Sequence, residues 1–171
     1  MNQFPGESQN QNEAEVIAVA NHEIPMFWLL LFAASDIQLI ETQGVAQDAL
    51  ESTTTKNYPI LIARKANALE QLIARKDVLT SAISDSDAQL MERWLNYLHQ
   101  TEFPVLAMDT YELWNNMDDP AQLYPDLESL LNVLSDSLDD GGKTAEVAFD
   151  QIKQTGKWQA NNSIALAGFG W

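Results

Sequence analysis

A chain of 171 residues is long enough for one domain with an ordinary hydrophobic core, and a hydrophobic content of 46% is not that of a disordered chain. Lys and Arg number 9 against 25 Asp and Glu, a formal charge of −16 that repels nucleic acid and anionic lipid and attracts basic partners. The absence of Cys excludes disulfides, thiolate catalysis and Cys-ligated zinc together.

Residues 1–13 are polar and rich in Gln and Asn, which predicts a disordered tail ahead of a single domain over 14–171. Residues 14–20 (AEVIAVA) read as strand or helix, and periodicity does not separate the two. The unbroken apolar run Met26 to Ala34 is far shorter than the roughly 20 residues of a spanning helix. No Lys or Arg precedes Lys56, so the basic region of a signal peptide is missing as well. The run is therefore expected to be core, as a buried helix opened by Pro25, and the protein is expected in the cytoplasm.

Residues 37–43 (IQLIETQ) alternate like a strand, and 44–52 read as a short helix after Gly44. A long helix is expected from Asn57 and Pro59 to about Ile83, carrying the repeat LIARK at 61–65 and 72–76. Eleven residues make about three turns, so Leu61, Ala68, Leu72, Leu79 and Ile83 share one face. Lys65 and Lys76 fall inside that arc, where they either snorkel to water or meet carboxylates of a packed helix. Ser86 with Gln89 forms a capping box ahead of the stripe Met91, Trp94, Leu95 and Leu98. Residues 107–120 hold one or two turns of helix. Pro125 opens another helix with the stripe Leu127, Leu130, Leu131, Leu134 and Leu138, stopped by Gly141 and Gly142. Thr144 caps a last helix, and residues 163–171 read as a short strand. The expected fold is mostly α, a single-domain helical bundle to which the terminal segments can add a small β pair.

Catalytic signatures are missing. None of the serine-hydrolase, phosphate-loop, dinucleotide or zinc-protease motifs occurs. His22 and His99 lack a third ligand pattern, and residues 136–147 fail as a calcium loop because Leu138 and Val147 occupy ligand positions. Arg64, Arg75 and Arg93 could hold phosphate, but the surrounding negative field argues against an anionic substrate. No metal, no cofactor and no enzymatic activity are expected.

Charge distribution is more informative. Residues 94–142 hold ten acids, namely Glu102, Asp109, Glu112, Asp118, Asp119, Asp126, Glu128, Asp136, Asp139 and Asp140, and not one Lys or Arg. Aromatic residues are interleaved with them. Trp94 belongs to an inward stripe, whereas Tyr111, Trp114 and Tyr124 belong to none. Trp and Tyr are common interface anchors, and acids around them steer a basic partner. Asp109, Tyr111, Glu112, Trp114, Asp118, Asp119 and Tyr124 are therefore the expected partner-binding residues.

Residues 21–37 (NHEIPMFWLLLFAASDI) resemble the opening of a group of small bacterial immunity proteins encoded beside toxins of type VI secretion or other contact-dependent systems. In that group a polar N-terminus leads to an "IP-aromatic-W-LL-F" segment followed by Asp. The resemblance covers 17 of 171 residues and carries no binding residue over by position. It implies a stoichiometric inhibitor that binds one cognate toxin, basic in character and acting in the cytoplasm, and masks its active site. Two other classes fit the same composition: an acidic adaptor or chaperone for a secreted effector, and an enzyme with an unrecognised carboxylate site.

Overall fold

The computed structural model describes residues 24–42, 56–136 and 166–168. In chain order they form helix α1 (Met26–Leu29), strands β1 (Ile37–Thr42) and β2 (Lys56–Arg64), helices α2 (Lys65–Ala82) and α3 (Asp85–Gln100), strand β3 (Val105–Asp109), and helices α4 (Tyr111–Asn115) and α5 (Leu123–Asp136). Single 3-10 turns cover Ala34–Asp36 and Pro120–Gln122. The expected helical bundle is thus corrected to a mixed α/β fold, in which an antiparallel sheet of order β1-β2-β3 packs with the helices. The expected tail 1–13, the segments 14–20 and 44–52, and the helix capped by Thr144 lie outside the described residues. Of the expected terminal strand, Leu166 and Ala167 are described; they are helical and fully buried, and Gly168 follows with φ 91°, a left-handed conformation that favours Gly.

The largest error in the expected elements is β2. Lys56–Arg64 is a strand, and the helix begins only at Lys65, behind an extended Arg64 with φ −63° and ψ 133°. A central strand carries apolar residues on both faces, so Tyr58, Ile60 and Ile62 alternate with Leu61 and Ala63 and the run loses its period of two. Pro59 is tolerated there for a specific reason. Lys65 N–H donates to Pro104 O at 2.9 Å, so the hydrogen-bonded pairs between β2 and β3 are Ala63 with Leu106 and Leu61 with Met108. The next such pair would involve Pro59, one residue beyond the end of β3, where the missing N–H forfeits no ladder bond. Its carbonyl is not left idle, since the buried Thr110 hydroxyl donates to Pro59 O.

The opening apolar run is core, as expected, but not as one helix. Residues 24–32 are buried without a break, yet α1 makes a single turn and the chain continues through short-range bonds from Leu31 N–H to Trp28 O (3.1 Å) and Phe32 N–H to Leu29 O (3.4 Å). Phe27 and Trp28 pack on Trp94 of α3 at ring-centroid distances of 5.6 and 5.5 Å. Leu72 on α2, Met91 and Leu98 on α3, and Leu131 on α5 close the same core with 0% exposure. The cap of α3 is Ser84 rather than Ser86, its hydroxyl oxygen accepting from Asp87 N–H at 3.3 Å. Helix α5 starts at Leu123, two residues ahead of Pro125, and buries Leu127, Leu131 and Leu134. The two lysines of the repeat resolve differently. Lys76 pairs with Glu92 of α3, while Lys65 caps the end of that helix through the carbonyls of His99 and Thr101.

Among the described residues, no helix is long and apolar enough to cross a membrane.

Candidate functional site: an acidic aromatic corner at the end of β3

Register brings the site together. Asp109 ends β3 opposite Ile60, and the chain turns at Thr110 into α4, which carries Tyr111 and Trp114. Those rings meet Tyr58 of β2, with centroid separations of 5.3 Å for Tyr58–Tyr111, 5.8 Å for Tyr58–Trp114 and 6.0 Å for Tyr111–Trp114. The first pair is edge-on at 70°, a favoured aromatic geometry. Tyr58 and Trp114 are each 8% exposed, whereas Tyr111 is 38% exposed and is the ring offered to solvent. Tyr111 N–H donates to Asp109 Oδ1 at 2.8 Å, which fixes the start of α4 against the strand end.

Asp109 also faces the Tyr58 hydroxyl. Burial raises the Tyr58 pKa above its ordinary value, and the Asp109 carboxylate raises it further by repelling a phenolate and accepting its hydrogen bond. The corner therefore combines a packed aromatic trio with one carboxylate that accepts from a backbone N–H and raises the pKa of the neighbouring phenol.

Of the residues expected at the site, Asp109, Tyr111 and Trp114 converge here, and Glu112 is exposed on α4 beside Tyr111. Trp114 supports the corner from inside. Asp118 and Asp119 are exposed in the turn that follows, where Asp119 caps the 3-10 turn by accepting from Ala121 N–H. Tyr124 lies on α5, donates to Glu128 Oε1 at 3.4 Å, and makes none of the ring contacts of the trio. Tyr58 is absent from the expected set because the expected helix opens at Asn57, and a strand with both faces apolar shows no alternation that would place it.

The arrangement suits recognition: an exposed aromatic ring beside the Asp109 carboxylate attracts Lys or Arg side chains. Among the described residues no group of three or more His, Cys, Asp or Glu is placed to hold a metal ion. No known protein family, curated protein or solved structure matches the chain.

Proposed function

We propose that this protein is a binding protein rather than an enzyme, and that it neutralises a basic protein toxin in the cytoplasm by masking the toxin's active site. The observation that carries the reading is the Tyr111 ring, exposed yet packed edge-on against Tyr58, within a 49-residue stretch (94–142) that contains ten acids and no base. A preformed anchor loses little entropy on binding, and the field of the whole chain accelerates encounter with a positively charged partner. The resemblance at 21–37 supports the toxin as that partner.

The test is rescue. The adjacent open reading frame is expressed in cells with and without this protein, and growth is followed. Growth arrest relieved by this chain in proportion to its level, together with a stable complex of the two products, is the expected result. A complex in which the partner keeps full activity would replace neutralisation with delivery.

A further inference from the structure

Among the described residues the sheet has two unpaired edges, β1 and β3, and they differ. With the hydrogen-bonded β2–β3 pairs at Ala63 with Leu106 and Leu61 with Met108, the N–H and C=O groups of Val105, Ala107 and Asp109 point away from β2. All three residues are exposed, Val105 at 47%. Their side chains share one face with the half-buried Ile60 and Ile62 and the exposed Arg64, so an apolar strip of Ile60, Ile62, Val105 and Ala107 runs from Arg64 at one end to Asp109 and the Tyr111 ring at the other. Proteins ordinarily blunt such an edge with Lys, Pro or a bulge. Here no Lys lies in β3, and Pro104 stands just before the strand.

We infer that the β3 edge accepts an extended segment of the basic partner as a fourth strand, with a Lys or Arg of that segment placed over Tyr111 and against Asp109 and Glu112. The inference rests on the binding function proposed above and assigns its docking mode. Strand addition supplies affinity through main-chain hydrogen bonds and specificity through alternate side chains. Charge selects the occupant. A second copy would bring another −16 against this edge, whereas a basic segment meets Asp109 and Glu112 where the edge ends, with Arg64 of β2 opposite Val105 at the far end. The β1 edge offers less: Leu39 is exposed there at 55%, but neither the acidic corner nor the base-free stretch adjoins it.

The experiment uses the full chain and the catalytically inactivated product of the adjacent open reading frame as probe. Ala107→Pro removes one outward N–H and no ladder bond of β2, and Leu39→Pro does the same on the opposite edge. Expected are a weakening of at least about tenfold for Ala107→Pro, the loss of at least one hydrogen bond, and little change for Leu39→Pro. Amide exchange on the wild-type complex provides a readout that does not depend on the variant folding, with protection expected at Ala107 and Asp109. Wild-type binding without that protection overturns the strand-addition mode and leaves the binding function standing. Absence of wild-type binding removes both. A dimer of the free chain that Ala107→Pro converts to monomer would replace the basic partner with a second copy.

Discussion

Arg75, on α2, donates from Nη1 to the carbonyl oxygen of Phe32 at 2.7 Å across 43 positions of sequence. The same nitrogen reaches Leu30 O at 3.1 Å, and Nη2 donates to Ser135 Oγ of α5 at 3.0 Å. One guanidinium therefore joins the opening apolar run to two helices while only 2% exposed. The run leaves its helix after Leu29 but stays buried, so its carbonyls need donors that the local chain does not supply. Burial pushes the Arg75 pKa down to about 10, opposed by the Asp36 carboxylate, and the group is still a cation at neutral pH.

Arg75→Met keeps most of the side-chain stem and removes every donor. It should destabilise the fold by about 3 kcal/mol or more, since several buried acceptors lose their partners at once. Arg75→Lys should recover only part of that loss, because one ammonium does not reproduce the planar fork. Urea unfolding of the two variants checks the order; equal stability of Arg75→Met and wild type would mean the contacts to Leu30 and Phe32 contribute nothing.

The same residue explains where reading the sequence succeeds and where it stops. The stripes of α3 and α5, the strand at 37–42 and the burial of 26–32 are legible because each follows from spacing within a few turns or from one apolar run. The shortness of α1 is not, since the carbonyls of Leu30 and Phe32 just beyond it are satisfied from Arg75, 45 and 43 residues away in sequence. Strand β2 is hidden because a central strand with both faces apolar has no polar partner for its alternation. Strand β3 is only five residues between Pro104 and Thr110, too short for a period to show. Of the site, Asp109, Tyr111 and Glu112 were visible as an acidic aromatic stretch; that Tyr58 completes it depended on a register no local pattern specifies.

Tyr58 gives a test of the corner by pH. Its folded pKa lies above the unfolded value of about 10, so the unfolded chain releases the phenolic proton first. The corresponding stability is fully present below about pH 10 and is lost as pH rises through the folded value. Absorbance titration should show a phenol ionising above the ordinary value, and Tyr58→Phe should remove it. Asp109→Asn removes the carboxylate and should bring that phenol back toward the ordinary value, while burial keeps some of the shift. An unchanged titration of Tyr58 in Asp109→Asn would contradict the Tyr58–Asp109 contact.

At the other end of the core, Trp28 Nε1–H donates to Ala167 O at 3.0 Å, and Leu166 and Ala167 are fully buried. A chain ending at residue 165 loses that hydrogen bond and the Leu166 side chain. Its stability should fall by about 3 kcal/mol, of which Leu166 accounts for most. Tryptophan fluorescence should shift to longer wavelength in the folded truncated protein as water reaches Trp28. Leu166→Ala in the full chain should reproduce most of the stability loss without the spectral shift.

Burial separates two aromatic residues that composition treats alike. Trp114 is 8% exposed and stacks on Tyr58, so Trp114→Ala should act on folding, at about 3–5 kcal/mol, before it acts on any partner. Tyr111 is 38% exposed, and Tyr111→Ala should leave the melting temperature within a few degrees while costing at least about 2 kcal/mol of affinity, mainly through faster dissociation. The exposed acids divide in the same way. Glu112, Asp118 and Asp119 hold no buried group through their carboxylates, so reversal to Lys should slow association, most at low salt. Asp109→Lys differs, because its carboxylate accepts from Tyr111 N–H and faces Tyr58. That change should lower stability and raise the dissociation rate together. Surface plasmon resonance of the variants against the inactivated adjacent gene product, at two salt concentrations, distinguishes these effects. If Glu112→Lys, Asp118→Lys and Asp119→Lys leave the association rate unchanged at low salt, the acids of this face do not steer the partner, and Tyr111 alone defines the contact.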